Sequence, residues 1–336
     1  MKEKENLGFQ KIIVVTGIVL FLIKVVAYYL TDSVAIFTDA LESTINVASS
    51  FLGLYALYLA SIPRDKNHPY GHGKVEFLSA TVEGVLISVA GIIIIVEAIE
   101  KLKSPNKVVQ LDYGIYLVAT TAIINFIVGK IAEKKGIKNN SIALISSGKH
   151  LQTDTYSTIG IIIGLILLYL TKIEIIDSLV ALIFACLLIY TGYKIIRQAI
   201  SGIMDEADSQ LLTNVISYLN TVRRENWIDM HNLRIIKYGS TLHFDCHVTV
   251  PWYLTVNEAH TEINALENLI KEKYGESIEI FVHTDGCMPF SCKICQKSIC
   301  DKRLEPFKGK IEWNLDNLSS NLKHGAPLTL EGDLSK

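Results

Sequence analysis

Six stretches of the chain carry little charge and are long enough to cross a bilayer's hydrocarbon core, roughly 30 Å, which takes about 20 helical residues. They run near residues 12–30, 33–59, 78–100, 113–132, 141–170 and 175–197. The pattern predicts six membrane helices, because a helix satisfies its own backbone hydrogen bonds in lipid. The first stretch is long and lacks a small-residue cleavage site, so it reads as a membrane helix and not as a removable signal peptide. After about residue 200 the pattern changes to amphipathic and alternating segments. DEADSQLLTNVISYLN (205–220) predicts a helix with acidic residues in its first turn, which suits the helix dipole. NLRIIKYG and TLHFDCHVTV predict two strands joined at a Gly239-Ser240 turn. NEAHTEINALENLIKEKYG predicts a second helix ending at Gly275, and SIEIFVH a third strand. The expected fold class is an all-α six-helix membrane bundle plus a small two-layer α+β domain of order α-β-β-α-β. The expected division is 1–200, 201–286, and a Cys-rich tail over 287–336 that is poorly ordered beyond Trp313. No internal repeat is visible.

Composition agrees with a membrane part joined to a soluble part: 336 residues, half of them apolar, and a mean hydropathy of +0.33. A net charge of −2 offers no basic excess for nucleic acid. Lys and Arg in the short connections set orientation. Lys2, Lys4 and Lys11, then Arg64, Lys66 and Lys74, then Lys130, Lys134, Lys135 and Lys138 fall on one side. The other side has Lys101, Lys103, Lys107 and Lys172. The bias places both termini in the cytoplasm.

Against this background the fifth stretch is unusual, because SSGKHLQTDTYSTIG carries His150 and Asp154. Ionisable groups within a membrane helix are costly and mark ligand sites or proton pathways. Residues four apart share a helix face, so the two point together. The second stretch offers Asp39, Glu42, Ser43 and Asn46 in FTDALESTINVASS, with Glu42 and Asn46 again four apart. If the two helices face each other, one imidazole and three oxygen-bearing side chains form a divalent-cation cage. The alternative is a pair of polar stripes that glue helices together. Glu42 and Asp154 carry two negative charges, which a divalent ion would neutralise; without it, they would tend to take up protons. Exchange of metal for protons is the expected consequence.

At these residues the chain resembles the cation diffusion facilitators, six-helix divalent-metal exporters with a metallochaperone-like (ferredoxin-like) cytoplasmic domain. The similarity runs from about residue 10 to 286 through DSVAIFTDALESTINVASS, NHPYGHGKVE, KHLQTDTYSTIG and IIDSLVALIFA, then MHNLRI, HFDCHVTV, EAHTEI and VHTD. The resemblance implies a transport site at Glu42, Asn46, His150 and Asp154, and a second metal site at Asp65, His68 and His72. It implies further metal sites at His231, His247, His260, His283 and Asp285, and a charged pair, Lys74 with Asp205, above the domain interface. It also implies a homodimer that exchanges metal for protons, in a bacterial-type plasma membrane. The chain departs from the family's zinc transporters, which hold an Asp or His and then an Asp where this one has Glu42 and Asn46. An oxygen-rich set with one imidazole admits Mn²⁺ or Fe²⁺ beside Zn²⁺, with zinc first by affinity order.

Alternation along a strand places His243, Asp245 and His247 on one face, with His283 and Asp285 on one face of the next strand. His247, His283 and Asp285 read as metal ligands, and His243 as a solvated surface residue. Cys246 points the other way into packing, and Cys186 reads as core of the bundle. Asp65, His68 and His72 lie in a loop with Pro69, Gly71 and Gly73, which suits a weak entry or tuning site. Cys287, Cys292, Cys295 and Cys300 follow C-x4-C-x2-C-x4-C, read first as a structural zinc knot, with a metal-sensing or donating element, a cluster, or free thiols in a disordered tail as alternatives. An intramembrane metalloprotease would need H-E-x-x-H, which the chain lacks. A membrane-anchored divalent-metal sensor remains the alternative to a transporter.

Overall fold

The computed structural model describes residues 2–103, 108–139, 142–238, 241–275 and 278–326. The Gly239-Ser240 turn lies outside these. The chain forms two compact units, one of Met1–Tyr58 with Leu78–Ile200 and one of Leu59–Phe77 with Ser201–Lys336.

Six helices are long and apolar enough to cross a membrane: α1 (Lys2–Thr31), α2 (Val34–Ala60), α3 (Val75–Lys103), α4 (Leu111–Asn139), α5 (Ile142–Thr171) and α6 (Ile175–Ile203). Their ends run past the apolar stretches, since hydropathy marks only the part that lipid must cover. Small residues set how closely they meet. A Cβ on Gly192 would stand 2.7 Å from the Gly84 carbonyl oxygen, so α3 and α6 touch backbone to backbone there. Gly129 and Gly148 do the same for α4 and α5, where an added Cβ at Gly148 would lie 2.7 Å from the Gly129 oxygen. Asp177, in the first turn of α6, caps the start of α2. Its carboxylate accepts from the Ser33 hydroxyl at 2.5 Å and the Val34 amide at 2.6 Å. Lys101 bonds Asp32 beside it at 2.7 Å. Cys186 is exposed on α6, not core; lipid-facing positions are as apolar as interior ones, so an apolar run cannot tell them apart.

The second unit contains α7 (Ser209–Val222), β1 (Asp229–Tyr238), β2 (Thr241–Val250), α8 (Val256–Tyr274) and β3 (Ile278–Gly286). The sheet has order β1-β2-β3, with β2 antiparallel to β1 and parallel to β3. Phe244, Cys246, Val248 and Val250 of β2 face a core closed by Leu212, Val215 and Leu219 of α7 and Leu266 and Ile270 of α8. Helix α7 begins four residues later than the acidic run suggested. Asp208 is its N-cap and accepts from the Leu211 amide at 2.9 Å, the use of Asp that a helix start favours. Thr255 and Glu258 form a reciprocal capping box on α8, and Gly275 ends it at φ 99°.

Two expectations are corrected here. His243 is buried, not solvated, between Tyr70, Tyr238 and Phe281. Burial holds its pKa below the usual imidazole value, against the pull of Glu279. The tail does not end its order at Trp313. After the short turn of helix at Pro289–Lys293 it reaches α9 (Leu315–Leu318), and Trp313 and Leu318 belong to the core of the second unit. Asn220 bonds the Trp313 backbone in both directions, at 2.7 and 3.2 Å, and the Arg223 guanidinium lies 4.0 Å from the indole ring centre. Two large apolar anchors outweigh the polar composition between them. Trp313→Ala should lower the stability of this unit by about 3–5 kcal/mol, read as faster amide hydrogen exchange in α7 and β1. Unchanged exchange would remove the tail from the core.

Candidate metal centres

In the membrane unit α2 and α5 face each other through the residues singled out from sequence. The Asn46 amide donates to Asp154 Oδ2 at 3.0 Å. The His150 Nε2 atom stands 3.7 Å from the same oxygen, on the more open side of the group. Glu42 is within electrostatic reach of Asp154, Asp39 and Lys24.

Lys24 was not anticipated. It lies on α1, and its ammonium group is buried against α2. There it donates to Asp39 Oδ1 at 2.8 Å and Ser43 Oγ at 2.9 Å. The Thr158 hydroxyl of α5 adds a bond to the same Asp39 oxygen at 2.9 Å, while Asp39 Oδ2 is buried without a hydrogen-bond partner. A single lysine in a long apolar run looks like a snorkelling residue, and only the three-helix packing reveals its partner. Asp39 is thereby tied to a counter-charge, and the excess negative charge of the group belongs to Glu42 and Asp154.

Among the described residues, three His, Cys, Asp or Glu ligand atoms come within 4.8 Å of one another in two places, both in the second unit. The first is Asp65, His68 and His72. The Asp65 carboxylate accepts from the backbone amides of His68 and Asn67 at 2.6 and 2.8 Å. The His68 amide, more than the Asn67 amide, holds its carboxyl below the ordinary range. The imidazoles approach that carboxylate at 3.2 and 3.5 Å.

The second is His231, His247 and Asp285, one from each strand. Sheet register places His231 opposite His247 and His247 beside His283. Asp285 Oδ2, buried and without a hydrogen bond, stands 3.7 Å from His231 Nε2 and 3.6 Å from His247 Nδ1. His283 Nε2 is 3.7 Å from the other Asp285 oxygen. Burial first, then the neighbouring His231 and His283, hold His247 below the usual imidazole pKa. The neutral ring this favours is the form that binds metal. Asp229 stands behind His231, 3.5 Å from its Nδ1. A bulge between His231 and Arg234, with Asn232 at φ 54°, re-aims this part of β1. Two tail residues also reach this place and were missed with the tail itself: Lys323 bonds Asp285 at 2.9 Å, and His324 bonds Asp229. His260 is exposed on α8 and is not in either group. Lys74 pairs with Asp205 at 2.9 Å. The four tail cysteines line a separate cavity.

The family model for the cation efflux transmembrane domain matches residues 11–204, and that for the cation efflux protein cytoplasmic domain matches 207–287. The chain belongs to the cation efflux family. An uncharacterized transporter of Synechocystis sp. is 35% identical over 75% of this chain and 81% of its own length. The manganese efflux system protein MneS of Bacillus subtilis is 25% identical over 76% and 88%. The cadmium, cobalt and zinc/H(+)-K(+) antiporter of the same organism is 24% identical over 87% and 93%. This cation efflux family member is therefore a multi-pass membrane transporter of divalent cations.

The buried lysine gives a test of the membrane group. Lys24→Met leaves Asp39 without its counter-charge and should destabilise the bundle by about 3–5 kcal/mol, seen as a lower unfolding temperature in detergent. Adding Asp39→Asn should recover most of the loss. A lysine variant as stable as the parent would mean the pair is not structural.

Proposed function

We propose that this transporter exports Zn²⁺ from the cytoplasm in exchange for protons, with Fe²⁺ and Mn²⁺ as competing cargo, through Glu42, Asn46, His150 and Asp154. The observation that carries the reading is the Asn46–Asp154 contact, which joins α2 to α5 at the two positions expected to share an ion. Glu42 and Asp154 supply charge, Asn46 a carbonyl oxygen and His150 a nitrogen. That set is harder than a two-histidine site and gives Mn²⁺ and Fe²⁺ a foothold, while affinity order still places Zn²⁺ ahead. When the ion leaves, two carboxylates close together in a low-dielectric interior favour taking up a proton. Metal out and protons in is thus one cycle of one site. The relatives' names fit this range, since one is a manganese efflux protein and another an antiporter of cadmium, cobalt and zinc.

The strand histidines and the Asp65 loop are read as metal sites on the cytoplasmic side that sense or deliver cargo. Lys74 with Asp205 is read as a latch, and the working form as a homodimer with both termini in the cytoplasm. A metal sensor merely anchored in the membrane would have no use for acids facing each other between α2 and α5.

Flux of Zn²⁺, Fe²⁺ and Mn²⁺ into proteoliposomes tests this directly. Zinc should move fastest, an opposing proton gradient should accelerate it, and Asp154→Ala should reduce it at least tenfold. Flux that survives Asp154→Ala, or that ignores the imposed pH difference, would refute the reading.

A further inference from the structure

Cys287, Cys292, Cys295 and Cys300 line one cavity. All four are free thiols, and Cys295 is buried. Cys287 follows the end of β3, Cys292 lies in the turn at Pro289–Lys293, and the other two lie in the loop beyond. Two of the sulfurs accept bonds from outside the cysteine loop. The Trp252 amide donates to Cys287 Sγ and the Tyr253 hydroxyl to Cys300 Sγ, each at 3.5 Å. Arg303 knits the loop by donating to the carbonyls of Cys292, Cys295 and Lys297 at 2.8, 3.2 and 2.7 Å. Lys297, Lys302 and Arg303 also line the cavity, which sets cations around a place where thiolates would concentrate negative charge.

The surroundings of the sulfurs favour one occupant over the other. A single zinc ion gathers four thiolates about a point, whereas the four cysteines here border a cavity. An iron–sulfur cluster spreads its thiolates over different iron atoms, so no three share one metal and they enclose a volume instead of a point. The chain also has one C-x2-C step, Cys292 to Cys295, and not the two of a paired zinc knuckle. Donors to sulfur and nearby cations are what an anionic cluster needs in a partly apolar wall.

We propose that Cys287, Cys292, Cys295 and Cys300 hold an iron–sulfur cluster, in place of the mononuclear zinc knot suggested by their spacing along the chain. The thiols give up their protons on binding, and the iron and sulfide come from the cell's cluster supply. Cys287 is two residues beyond Asp285, so loading the cluster fixes the strand end that carries one member of the histidine set.

The test is metal and sulfide content of the full-length protein purified without oxygen in detergent. Iron and acid-labile sulfide should be present in about equal amounts, about two to four of each per chain. Cys292→Ser/Cys295→Ser should lower both at least tenfold. Mössbauer spectra of the parent protein should show cluster iron, a readout that does not depend on the variant folding. About one zinc per chain without sulfide would overturn the proposal. So would a protein that holds no iron and sulfide even after reconstitution with both.

Discussion

A charge inside an apolar bundle must meet an opposite charge or a ligand, and in this protein that requirement shapes the membrane unit. Lys24 and Asp39 satisfy it for each other at 2.8 Å, with Ser43 and Thr158 completing the bonds. Among the described residues no lysine forms an ion pair with Glu42 or Asp154, which leaves their charge for the proposed cation and protons. One buried pair therefore sets Asp39 apart from the two acids proposed to carry transport. It also joins three helices, α1, α2 and α5, at the level of the site. At another place in the unit Asp177 does a related task, tying the start of α6 to the buried first turn of α2.

The second unit meets a different constraint, that of a small domain with a thin core. The two helices cover one face of the three-stranded sheet, and strand alternation sets His243, His247, His283 and Asp285 on the other. The tail extends the core through Trp313 and Leu318 and brings Lys323 and His324 onto the acids beside His231. The tail ammonium at Asp285 Oδ1 and the imidazoles of His231 and His247 at its Oδ2 share one carboxylate.

Much of this was legible in the sequence. The six helices follow from apolar runs, and the α-β-β-α-β order from a change of period from 3.6 to 2. The α2 and α5 positions follow from polar and ionisable residues four apart in otherwise apolar segments. What escaped notice has a common physical cause, because a residue's partner lies on another element. Lys24 needed α2 beside it before it became an ion pair. His243 alternates with buried residues on β2 and was read as surface, since nothing in its own strand shows that Tyr70 and Phe281 cover it. Cys186 was read as interior because lipid hides the difference between inside and outside. The tail's composition is that of a disordered segment, yet Trp313 and Leu318 join the core of the second unit. Four cysteines are conspicuous by their spacing along the chain, but what surrounds their sulfurs is a property of the folded loop.

The central claim is that α2 and α5 supply two halves of one ion site. Anomalous diffraction from crystals soaked in Mn²⁺ or Zn²⁺, collected at the metal's absorption edge, measures this most directly. A peak is expected within coordination distance of Glu42, Asn46, His150 and Asp154, and it should disappear in Asp154→Ala. Membrane-unit density that lies elsewhere, or that persists at this place without Asp154, would contradict it.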